Sequence, residues 1–192
     1  MNYAKAVHHL EAPPRTRPDL TGSSSEPWIS KSAIIRLQDL LTTDMRGLEW
    51  GSGASTLWYS QRLKELHTYE HTQLWFTKLR DYIDSHFDDT NISLFHVAST
   101  ITGEPQYQGA KDGYFEEYSK APHSSGLYDA IFVDGRARSA CLKTAVTKLN
   151  SGGVLVLDDA RRNYDVSVVP SEWICEEHYN EVYATKIWLR PR

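Results

Sequence analysis

Five short apolar runs, each ending at a glycine or a polar residue and most of them followed by residues at helical spacing, constrain this chain more than any other feature. Gly47-Leu48-Glu49-Trp50 runs into Gly51-Ser52-Gly53, and Ala54 to Leu63 then reads as helix. Leu66 to Glu70 reads as a second strand, followed by a helix in which Trp75, Leu79, Tyr82 and Ile83 share one face. Asn91 to Val97 gives a third strand. Tyr128 to Val133 gives a fourth, ending at Asp134-Gly135, and the next helix, lined by Ala137, Cys141, Ala145 and Leu149, stops at Asn150-Ser151-Gly152-Gly153. Val154 to Leu157 is a fifth strand ending at Asp158-Asp159, and Trp173 to Tyr179 and Tyr183 to Leu189 read as two more. This alternation predicts an α/β fold: a doubly wound, mostly parallel sheet with an antiparallel C-terminal strand pair, in three layers α/β/α.

Around this frame, Ser30 is a suitable N-cap for a helix in which Ala33, Ile34, Leu37 and Leu41 recur. The preceding stretch holds Pro13, Pro14, Pro18, Gly22 and Pro27, so residues 1–27 are expected to be a draped or flexible lead-in to a single domain over 28–192. Residues 99–126 are polar and carry Tyr107, Tyr114 and Tyr118; they are too long for an ordinary connection and are expected to form an insertion or lid. A net charge of −4 gives no general basic surface, which favours a small-molecule partner and argues against nucleic acid and against an anionic membrane. The two cysteines, Cys141 and Cys175, form no CxxC or metal spacing, and reduced, cytoplasmic surroundings are expected. The N-terminus lacks an apolar core, and nowhere do about 18 apolar residues run together, so neither secretion nor a membrane span is expected. The oligomeric state is left open.

Sheets of this kind place ligands outside the carboxyl ends of their strands. The glycines of Glu49-Trp50-Gly51-Ser52-Gly53 let backbone amides approach a ligand where a helix begins. Glu70 ends the second strand about 20 residues on, where a carboxylate can accept both hydroxyls of a ribose. Ala98 and Ser99, beyond the third strand, are placed to offer adenine a small wall and a polar contact. Asp134, Asp158 and Asp159 come from two strand ends and can converge to take a proton, hold a cationic group or coordinate a hard cation. His67 and His71 lack the further ligands a metal needs, Cys141 has no adjacent histidine, and Trp58 and Tyr59 suit the core.

Taken in order, these residues resemble the class I S-adenosylmethionine-dependent methyltransferases, most of all a bacterial branch with the pattern Pro-Trp, E-x-G-S-G-x-S-T-L-W, V-E-H, D-G-R-x-R, and G-G followed by D-[ND]. Here the pattern appears as Pro27-Trp28, Glu49 to Trp58, Tyr69-Glu70-His71, Asp134 to Arg138, and Gly152-Gly153 with Asp158-Asp159. Tyr69 stands where the branch has valine. The resemblance runs from Pro27 to the C-terminus. It implies a Rossmann-like fold and S-adenosyl-L-methionine as cofactor, its methionine end against Glu49, Gly51, Ser52 and Gly53, with Ser55 and Thr56 at the following helix start. Glu70, beside His71, would hold the ribose, and Asp134, followed by Gly135, would sit near the methyl group. Some methyltransferases of this fold that act on catechol-like acceptors carry acidic residues at positions resembling Asp134, Asp158 and Asp159, which would suit Mg²⁺.

The activity expected is methyl transfer to a small, hydroxylated or anionic acceptor, with Asp134 or Asp158 as base and alignment supplying most of the rate. Arg136, Arg138 and Arg161, together with Arg162, flank the strand ends and are expected to grip an anionic acceptor, with the 99–126 segment and its Tyr107, Tyr114 and Tyr118 closing over it. Two alternatives stand beside this reading. One is an NAD-type oxidoreductase, against which Thr56 occupies the place of the third small residue of the dinucleotide fingerprint. The other is a non-catalytic binding module of the same fold.

Overall fold

The structure is a computed structural model and describes residues 26–100 and 112–192. Most of the expected lead-in, and the part of the expected insertion that holds Tyr107, lie outside the described residues.

Strand β1 (Arg46–Trp50) is central, flanked by β2 (Glu65–Glu70) and β4 (Tyr128–Val133); β3 (Ile92–His96) lies outside β2, and β5 (Leu149–Leu157) outside β4. All these neighbours are parallel. Strands β6 (Ile174–Tyr179) and β7 (Ala184–Leu189) complete a seven-stranded sheet in the order β3-β2-β1-β4-β5-β7-β6, with β7 antiparallel to both neighbours. The expected antiparallel C-terminal pair is present. β7 inserts between β5 and the edge strand, which sets this sheet apart from the six-stranded order of dinucleotide-binding domains.

Alternation along the strands divides the core in two. Ala130, Phe132, Val154 and Val156 face α1 (Lys31–Leu40) and α2 (Ala54–Ser60), whose Leu37, Trp58 and Tyr59 are buried against them. Tyr59 stacks on Phe132 with centroids 3.7 Å apart, so the aromatic pair of α2 belongs to the core, as expected. Helix α3 (Gln73–His86) turns Leu79 and Ile83 toward Leu57 of α2. On the opposite face Leu48, Trp50, Ile131, Val133 and Leu155 meet α4 (Glu116–Lys120) and α5 (Arg138–Lys148) through Tyr118, Cys141, Leu142 and Ala145. Ser30 caps α1 as its sequence predicts, accepting from the Ala33 amide at 3.2 Å. Among the described residues no helix is long and apolar enough to cross a membrane.

Two local expectations change. Asn150 to Gly153 does not end a helix; strand β5 already begins at Leu149. Its register against β4 slips, Tyr128 pairing with Leu149 but Ala130 with Val154. Gly152, at φ 76°, permits this irregularity. The second half of the expected insertion is packed structure: a 3-10 turn (Asp112–Phe115), α4 and a second 3-10 turn (Ala121–Ser124). Tyr118 is fully buried there, and its carbonyl accepts from Trp50 Nε1 at 3.0 Å. It is a wall of the core, where a lid had been expected.

Candidate active site

Backbone bonds carry the ladder of the sheet past the strand ends and set their tips at one level. The Gly51 amide donates to Tyr69 O (2.9 Å), Asp134 N to Trp50 O (2.9 Å), Asp158 N to Val133 O (3.1 Å) and Val97 N to Glu70 O (2.8 Å). Gly51, Glu70, Asp134 and Asp158 therefore form a row along the carboxyl edge. Gly51 adopts φ 91°, and a Cβ there would stand 2.7 Å from the Gly135 amide, so only glycine allows these two loops to touch. A Cβ on Gly53 would meet nothing within 4 Å, which leaves open space beside the loop.

On the β1–β2 side the carboxylates hold their own loop. Glu49 is fully buried and accepts the hydroxyls of Ser55 (2.7 Å), Thr56 (2.7 Å) and Thr68 (3.0 Å). Burial pushes its acid up to about 8, with the hydroxyl bonds pulling against that rise. The Thr56 hydroxyl also accepts from the Gly53 amide at 3.0 Å, so Glu49, Ser55 and Thr56 fix the glycine loop from beneath. Glu70 takes the Ser52 amide (2.7 Å) and hydroxyl (3.0 Å) on one oxygen and the Thr72 amide (2.7 Å) on the other, where His71 Nδ1 also lies at 3.1 Å. Burial opposes its ionisation, but His71 and the two amides outweigh burial and hold the acid below its ordinary range.

On the β4–β5 side a buried cation sits among carboxylates. The Arg138 side chain is only 8% exposed. Its Nε donates to Gly135 O (2.9 Å), Nη2 to Asp134 Oδ1 (2.8 Å) and Nη1 to Asp158 O, with Asp158 Oδ2 at 3.6 Å. Arg138 thus does not reach for an acceptor, as its place in the sequence suggested. Its donors bind the tips of β4 and β5 together. The Mg²⁺ expectation gains no support here, since the same guanidinium stands between Asp134 and Asp158. Asp159 turns to Arg162 Nε at 2.6 Å. Among the described residues no three acidic, histidine or cysteine side chains are placed to hold a metal ion. Asp158 is largely buried, and burial followed by the charge of Asp134 pushes its acid well above the usual carboxylate range, with Arg138 acting against both. Asp134 stays accessible, its side chain 45% exposed. Ala137 and Asp159 both adopt left-handed backbone, φ 49° and 53°, just past these tips.

The remaining candidates scatter. Arg161 donates to Glu181 O (2.7 Å) and Tyr183 O (3.5 Å), bracing the β6–β7 turn. Arg136 lies half-buried in the turn before α5, and its carbonyl accepts from Cys141 Sγ. The Tyr114 carbonyl accepts the Thr100 amide at 2.9 Å, and its ring packs on the core. Ala98 is exposed and Ser99 half-buried beyond β3. One buried polar group escaped the sequence, and Tyr118 was read as part of an insertion or lid. Thr68 sits opposite Glu49 in the parallel register, a polar residue at an inward position of an apolar strand, and that parity was the available signal. Tyr118 follows Phe115 by three residues, a helical apolar pair that marks a packed turn.

The cradle suits S-adenosylmethionine: open space lies beside Gly53, an ionised carboxylate with neutral donors around it stands at the β2 tip, and an accessible carboxylate stands at the β4 tip. No protein-family model matches the sequence, and no curated protein matches it. Solved structures do. A methyltransferase-like protein from Silicibacter pomeroyi is similar with a TM-score of 0.60 at 19% identity, over 87% of this chain and 89% of that one. An rRNA methylase from Streptococcus thermophilus gives 0.58 at 11%, over 81% and 92%. A Streptococcus mutans protein assigned as a methyltransferase, in complex with S-adenosylhomocysteine, gives 0.58 at 12%, over 80% and 92%. An rRNA methylase among these neighbours overturns the exclusion of nucleic acid as a partner. That exclusion rested on a net charge, which sums over the whole chain and does not describe the surface around one opening. This chain shares its fold with these methyltransferase structures.

Proposed function

We propose that the protein is an S-adenosylmethionine-dependent methyltransferase acting on an oxygen or nitrogen nucleophile that gives up a proton. The observation that carries this reading is the row at the carboxyl edge, with buried Glu70 and accessible Asp134 on either side of the Gly51–Gly135 contact. When bound, the cofactor supplies an electrophilic methyl group on a sulfonium.

The residues of the chain divide the remaining work. Glu70, kept ionised, accepts the ribose hydroxyls, and the Ser52 hydroxyl that now bonds it gives way to them. Gly51 and Gly53 admit the ligand to the loop backbone, and Ala98 and Ser99 border the adenine. Asp134 faces the opening and takes the proton of the acceptor. Burial and the neighbouring charge of Asp134 raise the acid of Asp158, and Arg138 stands between the two as their counter-charge. Alignment of acceptor and methyl in a site shielded from water then accounts for most of the acceleration.

Titration calorimetry with S-adenosylhomocysteine tests the cofactor, with Glu70→Ala expected to lose roughly 1.5–3 kcal/mol of binding free energy. Mass spectrometry of hydroxylated metabolites and of RNA incubated with protein and S-adenosylmethionine tests the reaction. Absence of binding overturns the reading; binding without turnover on any acceptor leaves a ligand-binding module.

A further inference from the structure

The Tyr118 hydroxyl is the feature that packing leaves unexplained. Its ring is fully buried, with His71 and Phe115 edge-on against it at centroid distances of 5.5 and 6.2 Å. Yet among the described residues its oxygen has no hydrogen-bond partner. A phenylalanine would fill the same core without the cost of burying an unpaired hydroxyl.

The oxygen points to one place. A Cβ built on Gly135 would lie 1.9 Å from it, so the hydroxyl occupies the space that a side chain at Gly135 would fill. Gly135 in turn touches Gly51, whose amide is 3.0 Å from that same Cβ position. The hydroxyl is thus aimed at the seam where the loops after β1 and β4 meet, with Glu70 and Asp134 among the charged groups around it. Both carboxylates are already engaged, Glu70 by Ser52 and Thr72 and Asp134 by Arg138. Burial keeps the phenol neutral, hence a donor. Neither carboxylate bonds the hydroxyl.

We infer that the Tyr118 hydroxyl is a cofactor-binding group that donates a hydrogen bond to the carboxylate of the amino-acid portion of the bound ligand. The inference rests on the reading of the site as one for S-adenosylmethionine. Of the ligand's acceptors the carboxylate is the strongest, and a bond to an ionised acceptor is about twice as strong as a neutral one. The ribose hydroxyls are already assigned to Glu70, which leaves the amino-acid end for the glycine seam.

The test compares the full chain with its Tyr118→Phe variant. Affinity is measured for S-adenosylhomocysteine and for 5′-methylthioadenosine, which lacks the amino-acid portion, and thermal unfolding is followed without ligand. The variant is expected to bind S-adenosylhomocysteine about 10- to 100-fold more weakly, to bind methylthioadenosine unchanged, and to melt no lower than the parent. If the parent binds neither ligand, the proposed function falls and this inference falls with it. If the parent binds S-adenosylhomocysteine and the variant binds it equally well, the inference alone is overturned. It is overturned too if both ligands weaken alike, or if the variant melts lower or does not fold, because the hydroxyl then serves the fold.

Discussion

The two halves of the carboxyl edge handle buried acid in opposite ways. Beside β1 and β2, Glu49 and Glu70 are surrounded mainly by neutral donors, hydroxyls and amides from α2, β2 and the loops that follow β1 and β2, with His71 the one neighbour that can carry charge. Beside β4 and β5, Asp134 and Asp158 share a buried guanidinium, and one of them remains accessible. Neutral donors fix geometry without concentrating charge, which suits a cradle that must hold one ligand in one pose. A cation shared by two acids leaves the protonation of one acid dependent on the other, which suits a place where a proton is handed over. The difference teaches where to look for binding and where to look for chemistry on a single sheet edge.

Breaking the β4–β5 side should show most strongly. Arg138→Met removes the cation while leaving Asp134 and Asp158 in place, and a loss of about 3–5 kcal/mol in urea unfolding is expected. A loss under 1 kcal/mol would mean that the pair does not depend on its counter-charge. Next in size, Glu70→Gln should cost roughly 1.5–3 kcal/mol of S-adenosylhomocysteine affinity by calorimetry while moving stability much less than the Arg138 change. Equal effects of the two substitutions on stability would erase the contrast between the sides.

A subtler effect lies in pH. Glu49 has its acid raised from 4.5 to about 8 in the folded state, so between those values the folded chain keeps a proton that the unfolded chain releases. Stability is fully present below about 4.5 and falls as pH rises toward 8, by at most about 1.4 kcal/mol per pH unit from this group. The raised acid of Asp158 acts in the same direction. Glu49→Gln should flatten the slope in unfolding curves taken from pH 5 to 8; an unchanged slope would show that Glu49 is ionised when folded. The smallest effect belongs to a pair remote from both sides. Arg36 on α1 forks onto Glu176 of β6 at 2.7 and 2.8 Å, partly exposed, and Arg36→Ala should cost about 0.2–1 kcal/mol with ligand binding untouched. Weakened binding in that variant would show that the sheet edge is not insulated from α1.

Much of the sheet was legible because parity and period are local properties. Tyr128–Val133 agrees residue for residue with its apolar run, and Ser30 caps α1 as its chemistry demands. The slip at Asn150–Gly153 was not legible. The same glycine pair that ends a helix also serves a bulge, and the choice depends on the partners Tyr128 and Arg190, distant in sequence. The places of Glu70 and Asp134 at strand ends were legible because each follows directly on a run that reads as a strand. Arg138 was misread because a guanidinium beside an acid looks the same in sequence whether it faces solvent or is enclosed. Burial decides that, and burial belongs to the assembled layers. Tyr118 was assigned to an insertion or lid for a related reason, since its segment looked polar as a whole while Tyr114, Phe115 and Tyr118 pack inward.

The slip between β4 and β5 has a consequence for what lengths of chain this edge can absorb. It lies at the amino ends of the two strands, and above it the pairs Ala130–Val154 through Val133–Leu157 run in unbroken register to Asp134 and Asp158. Extra residues taken up at Asn150–Gly153 bulge out at the base, where Gly152 meets the C-terminal tail through Arg190 and Pro191, and change nothing at the top. One residue added between Ala130 and Val133 would instead turn every following side chain to the opposite face and carry Asp134 out of line with Gly51. The base of the sheet works as a slack joint and the top as a fixed rule, so length variation in this chain is tolerable below the slip and ruinous above it.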